Sequence, residues 1–376
     1  MKAGFIFAGQ GAQYAGMGQD LYDNFPSARD VFDKAGQDIK NWCFNGSEED
    51  LKQTHITQPC VYTMTMAALA AFCSESGFEL PDRISGDTPK AGKTVVWGLA
   101  GFSLGEYAAL TAAGSIADIE TAVKILRKRG QYMAESGRYP DGSPRGGMCA
   151  VLGEREKVLL LLDEIRGDDV LEAVNFNTHT QTAAAGDMNA LKRLRDKGKE
   201  VRLKVIPLNV STAFHSRLME PAAERLKGAL AGISIHPPVV KVYSNITGRD
   251  IMEGASYTDE QEAPGKAQGV ELESGGKRAG IEKMHKEEAA SGELSETGAS
   301  EWLRSRMSLQ VMHPVYWQET IENMVSDGID LFIEFGPGRT LSGFVKKIAP
   351  NVNVSNVENL ETLKTSLKIF KEIAIG

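Results

Sequence analysis

The run Thr94-Val-Val-Trp-Gly-Leu-Ala-Gly-Phe-Ser-Leu-Gly-Glu-Tyr-Ala-Ala-Leu-Thr-Ala-Ala113 decides how this chain folds. An apolar stretch with β-branched residues leads into Gly101-Phe102-Ser103-Leu104-Gly105, and an alanine-rich segment of high helix propensity follows. A strand, a tight turn and a helix in that order point to an α/β protein. The turn also carries chemistry. Glycine on each side removes Cβ atoms that a sharp strand-to-helix connection would force into contact, and the serine at the apex presents its hydroxyl above the sheet edge. The N–H after the serine lies at the positive end of the helix, where a developing oxyanion is stabilised. Ser103 is therefore the leading nucleophile. The competing reading of a bare Gly-x-Ser-x-Gly is a glycine-punctuated connection with an incidental serine.

The flanks extend the α/β pattern. Phe5-Ile6-Phe7 reads as a buried strand ending in Gly9-Gln10-Gly11. Helices are expected over 26–40, 58–76 and 119–136, with Pro59 in the first turn of the second. The breaker-rich segment 137–147 marks a boundary. Beyond it the pattern predicts a strand at 148–152, a helix at 154–165, strands at 170–175 and 182–186, a helix at 188–197 capped by Asp187, and a strand at 201–207. The order βαββαβ is the ferredoxin-like arrangement. The expected organisation is a large α/β body over 1–145 and 212–376, with a small ferredoxin-like domain inserted at 146–211. Strands at 239–244 and 331–335 and a helix at 317–326 belong to the second part of the body. Residues 77–93 read as a polar loop. Residues 253–300 carry 11 acidic against 5 basic side chains without aliphatic periodicity, the composition of a mobile surface insertion.

With 376 residues, 42% of them hydrophobic, the chain can bury a substantial core. No run of about 18 uninterrupted apolar residues suggests a membrane span, and the N-terminus lacks the apolar segment of a signal peptide, so a cytoplasmic setting is expected. The four cysteines are scattered, which predicts buried thiols rather than a disulfide or zinc framework, and no metal is expected. A net charge of −8 argues against nucleic acid as a partner. A serine nucleophile needs a base within hydrogen-bonding reach. Among the six histidines, His215 in Val210-Ser-Thr-Ala-Phe-His-Ser-Arg217 is favoured because it falls at the expected domain junction, where clefts form. A core or surface histidine is the alternative.

Several segments then fall into a familiar order: Gly9-Gln10-Gly11-x-Gln13, Thr57-Gln58-Pro59, Gly101-x-Ser103-Leu104-Gly105-Glu106-Tyr107, Arg129-Gly130, Ala213-Phe214-His215-Ser216 and Glu334-Phe-Gly336-Pro337-Gly338. In this the chain resembles the malonyl-CoA:acyl-carrier-protein transacylases and the acyltransferase domains of fatty-acid and polyketide synthases, over nearly all of its length outside 77–93 and 253–300. The resemblance implies a hydrolase-like α/β body with a ferredoxin-like subdomain. It also implies that Ser103 attacks malonyl-CoA and holds the malonyl group as an ester, with His215 as base. The family orients this histidine by a backbone carbonyl, matched here to Tyr316. The backbone N–H groups of Gln10 and Leu104 would form the oxyanion hole. Arg129 would make a paired contact with the free malonyl carboxylate, which a guanidinium does and lysine cannot copy. Without the resemblance, Arg129 reads as a solvated charge on its helix.

Gln58, Phe102, Met133 and Phe214 would line the same pocket. Phe102 stands where the family usually has histidine, and Ala8 and Ala12 replace its usual proline and serine. Bulky Phe214 leans toward malonyl over a branched extender. The implied acceptor is the phosphopantetheine thiol of an acyl carrier protein, and no cofactor is bound by the chain itself. Lys192, Arg193, Arg195, Lys197, Lys199, Arg202 and Lys204 would suit an acidic carrier. Three further readings stay open: a free-standing acyltransferase serving a polyketide synthase, an acyl hydrolase that releases the group to water, and a non-catalytic carrier-binding scaffold. A monomer is the default.

Overall fold

Burial of Phe5, Ile6 and Phe7 on both faces makes the first strand the centre of the large sheet. The computed structural model describes residues 2–80, 96–210, 212–255 and 295–375. Among them run strands β1 (Lys2–Phe7), β2 (Val96–Gly101), β3 (Gly146–Leu152), β4 (Leu171–Thr178), β5 (Gln181–Asp187), β6 (Lys204–Pro207), β7 (Val242–Tyr243), β8 (Ile329–Phe335) and β9 (Asn353–Val357). The body sheet has the order β7-β2-β1-β8-β9, and every neighbouring pair is parallel. Phe5, Phe7, Phe72 and Phe335 meet edge-on and stacked on one face. Ile6 packs with Phe332, Trp317 and Val345 on the other.

The second sheet has the order β4-β5-β3-β6 and is antiparallel throughout. Its helices, Arg155–Arg166 and Met188–Glu200, bury Leu161, Leu162 and Leu194 against Cys149 and Val151. This is the ferredoxin-like arrangement that the βαββαβ pattern predicts, beside a parallel α/β body. The small sheet is tied to the body through β4 and the segment before the helix Trp317–Ser326. Phe176 N–H donates to the Val315 carbonyl at 2.9 Å, Val315 N–H to that of Val174 at 2.8 Å, and Phe176 stacks on Tyr316 at 5.0 Å. Arg155 adds an ion pair to Glu319.

Several local expectations are corrected. The helix expected at 58 starts at Thr54 and runs to Ser76, so Pro59 lies inside it and not in its first turn. The helix expected over 26–40 is divided at Gly36, whose φ of 108° ends Pro26–Ala35 before Gln37–Asn45 begins. Asp187 holds the expected N-cap position, but its carboxylate takes the Val170 N–H at 2.7 Å and makes no capping hydrogen bond to its own helix. Of the expected loop at 77–93, residues 81–93 lie outside the described residues. Of 253–300, residues 256–294 lie outside them too. The insertion nevertheless ends earlier than expected. Ser295 caps a helix, Glu296–Leu309, that buries Ala299, Leu303 and Met307. The helix Thr54–Ser76 is long and apolar enough to cross a membrane, but its apolar stretch is 89% buried inside the protein, the mark of a core helix.

Two glycines of the opening motif are required by contact. A Cβ on Gly101 would lie 1.9 Å from the Gly105 backbone, and one on Gly105 would lie 2.2 Å from the Phe7 carbonyl oxygen. Backbone cannot give way as a flexible side chain can. Gly105→Ala is expected to cost at least about 3 kcal/mol, beyond ordinary overpacking. A urea midpoint indistinguishable from the parent's would contradict this.

Candidate active site

Three non-glycine residues among those described hold a left-handed backbone, and two of them are Ser103 (φ 54°) and His215 (φ 64°). Such strain persists only where the surroundings over-determine it. The turn after β2 throws Ser103 to the head of the helix Gly105–Ala112. His215 is fixed opposite by its own N–H, which donates to the Val311 carbonyl at 3.1 Å. Ser103 Oγ and His215 Nε2 are 2.8 Å apart. On the far side of the ring, Nδ1 lies 3.0 Å from the Gln310 carbonyl and 3.1 Å from that of His313. Both are acceptors only, so Nδ1 carries the proton and Nε2 is left to accept from the serine hydroxyl. Burial and the Arg129 charge push the His215 pKa down to about 4, which keeps the ring neutral near pH 7.

The histidine is thus held by carbonyls, but not by the one expected. Tyr316 stands at the N-terminus of the helix Trp317–Ser326, and its carbonyl is committed to the N–H and hydroxyl of Thr320. Gln310 and His313 take its place because the chain reverses there, between the helix ending at Leu309 and the one starting at Trp317.

Arg129 is fully buried on the helix Ile119–Ser136. Its Nη2 donates to Gln310 Oε1 at 2.8 Å and reaches Ser103 Oγ at 3.2 Å. Its Nε and Nη1 have no hydrogen-bond partner among the described residues. A Cβ at Gly130 would sit 2.6 Å from the Thr54 carbonyl, so this glycine lets the Arg129 helix close on the one carrying Gln58. Gln58 is buried with Nε2 on the Met133 sulfur at 3.5 Å and with Oε1 unpartnered among the described residues. Met133, one turn beyond Arg129, shares its face. Phe214 is buried in the large core cluster. The ring of Phe102 meets Trp317 at 5.5 Å and Phe344 at 6.4 Å; no ring contact or hydrogen bond among the described residues joins it to Arg129. A Cβ at Gly9 would lie 2.6 Å from the Phe102 carbonyl, so the Gly9–Gly11 loop lies against the serine turn, with Gln10 beside it. No backbone acceptor among the described residues takes the N–H of Gln10 or of Leu104.

Residues 4–263 match the family model described as the acyl transferase domain. The chain belongs to that acyltransferase family. It is 30% identical to the malonyl CoA-acyl carrier protein transacylase of Bacillus subtilis, over 99% of this chain and 98% of the relative. It is 32% identical to the protein of the same name from Staphylococcus aureus, over 96% and 97% of the two chains. The crystal structure of the malonyl CoA-acyl carrier protein transacylase from Clostridium perfringens superposes with a TM-score of 0.77 at 33% identity, covering 100% of this chain and 99% of that one. The malonyl-transacylase in a complex with a type II PKS acyl-carrier protein gives 0.76 at 27% identity, covering 98% and 100%.

This acyltransferase also contains a buried carboxyl that stands among the motif residues but to which the sequence assigns no role. Glu106, directly after Gly105, accepts the Asn245 N–H at 2.6 Å and a Gln310 side-chain N–H at 3.2 Å. Gln310 therefore bridges Arg129 and Glu106. A glutamine inside the apolar run Leu309-Gln310-Val311-Met312, and a glutamate directly before an alanine-rich helix segment, were the available signals.

Burial pushes the Glu106 pKa up to about 7 against the pull of its hydrogen bonds and of Arg129. A carboxyl raised from 4.5 in the unfolded chain makes stability fall as pH climbs from about 4.5 to about 7. His215, lowered from 6.5, makes stability fall as pH drops from about 6.5 to about 4. The two slopes oppose each other between about 4.5 and 6.5. Glu106→Gln is expected to unmask the histidine, so that stability rises with pH by about 1.4 kcal/mol per unit more steeply than in the parent across that window. Urea midpoints at several pH values check this, and equal slopes would contradict it.

Proposed function

We propose that this acyltransferase transfers a malonyl group from malonyl-CoA to the phosphopantetheine thiol of an acyl carrier protein, in two half-reactions through an ester on Ser103. In the first, the serine hydroxyl gives its proton to His215 Nε2 as Oγ attacks the thioester carbonyl. The oxyanion is received by the N–H groups of Gln10 and Leu104, where each donor is worth about 10²–10³ in rate. Collapse breaks the C–S bond, and the departing CoA sulfur takes the proton from His215. In the second, the carrier thiol passes its proton to His215 and attacks the ester, and Ser103 regains a proton as it leaves.

The observation that carries the substrate class is Arg129. A buried guanidinium whose Nε and Nη1 have no partner among the described residues, with Nη2 3.2 Å from the Ser103 Oγ, matches an acyl group that brings its own carboxylate. A monocarboxylic acyl group would leave that charge buried and unpaired, which supports discrimination of about 10³-fold or more. The carrier as acceptor is supported by the names of the relatives and by the neighbour whose structure holds a malonyl-transacylase in complex with its acyl-carrier protein. The basic stretch proposed to meet it is smaller than the sequence suggests. Arg193 pairs with Asp169 at 2.8 Å and Lys197 with Glu200 at 3.1 Å.

An acyl hydrolase would use the same serine and histidine, so products decide between the two. With malonyl-CoA and carrier present, malonyl-carrier is expected, and free malonate alone would sink the transferase reading. Arg129→Ala is expected to lower kcat/KM for malonyl-CoA by about 10³-fold while gaining transfer from a monocarboxylic acyl-CoA. Equal losses with both donors would assign the arginine to structure alone.

A further inference from the structure

Parallel pairing of β2 with β7 matches Leu99 to Val242 and Ala100 to Tyr243, and no further. Beyond that point β7 ends while β2 runs on beside β1 to Gly101, so β7 offers no backbone partner to the Gly101 carbonyl or the Ser103 N–H. Asn245, two residues past the end of β7, supplies both from one side chain. Its Oδ1 accepts the Ser103 N–H at 2.7 Å, and its Nδ2 donates to the Gly101 carbonyl at 2.6 Å. The amide is itself immobilised. Asn245 is fully buried, its N–H donates to Glu106 Oε2 at 2.6 Å, and its carbonyl accepts the Tyr316 N–H at 2.8 Å. Gln310 Nε2 closes the circuit by donating to the Ser103 carbonyl at 2.8 Å.

We propose that Asn245 is the positioning residue of the nucleophile: its side-chain amide grips the turn at two points and holds Ser103 left-handed with its hydroxyl aimed at His215. The role needs a donor and an acceptor on one short planar group, which asparagine provides and an ionised aspartate does not. A carboxylate at this position would turn an acceptor toward the Gly101 carbonyl and a negative charge toward Glu106. Protonated, the same acid would restore both bonds. The titratable and charged groups around the position are Glu106 on the nucleophile helix, Arg129 beyond Gln310, and His215 beyond Ser103. Arg129 and His215 are common to the parent and the variants, so a ratio of activities cancels their own titration to first order. Glu106 and the new carboxyl instead titrate as a coupled pair, and Asn245→Asp in a Glu106→Gln background isolates the aspartate.

The test pairs Asn245→Ala with Asn245→Asp and reads two reactions, malonyl transfer and covalent capture of Ser103 by a fluorophosphonate. The inference rests on the transferase reading only for the first. A parent that captures the phosphonate but takes no malonyl group would sink that reading and leave the Asn245 comparison intact. For Asn245→Ala, kcat and the capture rate are both expected to fall about 10²-fold, with KM within about threefold of the parent, as displacement of a reacting atom requires. For Asn245→Asp, the loss near about pH 8 should be similar, and the variant-to-parent ratio of capture rates should recover about tenfold toward about pH 5.5. Parental rates in a folded Asn245→Ala protein would overturn the proposal. Should the alanine variant not fold, a ratio for Asn245→Asp that stays flat with pH would overturn it equally.

Discussion

The 2.8 Å hydrogen bond from Ser103 to His215 joins positions 112 residues apart, and much of the body serves to keep it in register. Neither partner sits in a relaxed backbone. The serine is bent left-handed where β2 passes into its helix, and the histidine is left-handed in the loop that returns from the small sheet. Each such residue costs about 1–3 kcal/mol, and only dense surroundings hold it. Those surroundings are specific: glycines that let the turn lie on β1, an asparagine that replaces lost sheet partners, and carbonyls that fix the imidazole.

Electrostatics follow from the same burial. Among the described residues no carboxylate stands behind His215, so neutral carbonyls set its tautomer while burial and Arg129 keep it unprotonated. That suits a base which must accept a proton at the moment of attack. The arginine is balanced at a distance, through Gln310, by Glu106, a carboxyl that burial pushes toward neutrality. The guanidinium thus keeps nitrogens without a partner among the described residues close to Ser103, as the proposed pairing with a malonyl carboxylate would require.

Much of this was legible in the sequence, for definite reasons. Ser103 was readable because a strand, two glycines and a helix leave the serine one geometry, and the ferredoxin-like unit because its periods alternate cleanly. Helix Trp317–Ser326 falls where its pattern predicts. What escaped was contact information. Asn245 and Gln310 act across more than a hundred residues, and nothing near either in sequence marks it as a neighbour of Ser103. The carbonyl behind His215 was misassigned for the same reason. Any residue supplies a carbonyl, so sequence cannot choose between Tyr316, Gln310 and His313; helix capping excludes the first. The helix at Glu296 was hidden by the acidic, glycine-rich composition that precedes it.

The central claim is that Ser103 carries the acyl group between the two substrates. Its most direct test is peptide mapping by mass spectrometry after brief exposure to malonyl-CoA without carrier, followed by addition of carrier. The account predicts a malonyl increment on the peptide containing Ser103 that disappears as malonyl-carrier forms. Malonyl-carrier formed at full rate with Ser103 never modified, or a modified Ser103 that the carrier cannot discharge, would contradict it.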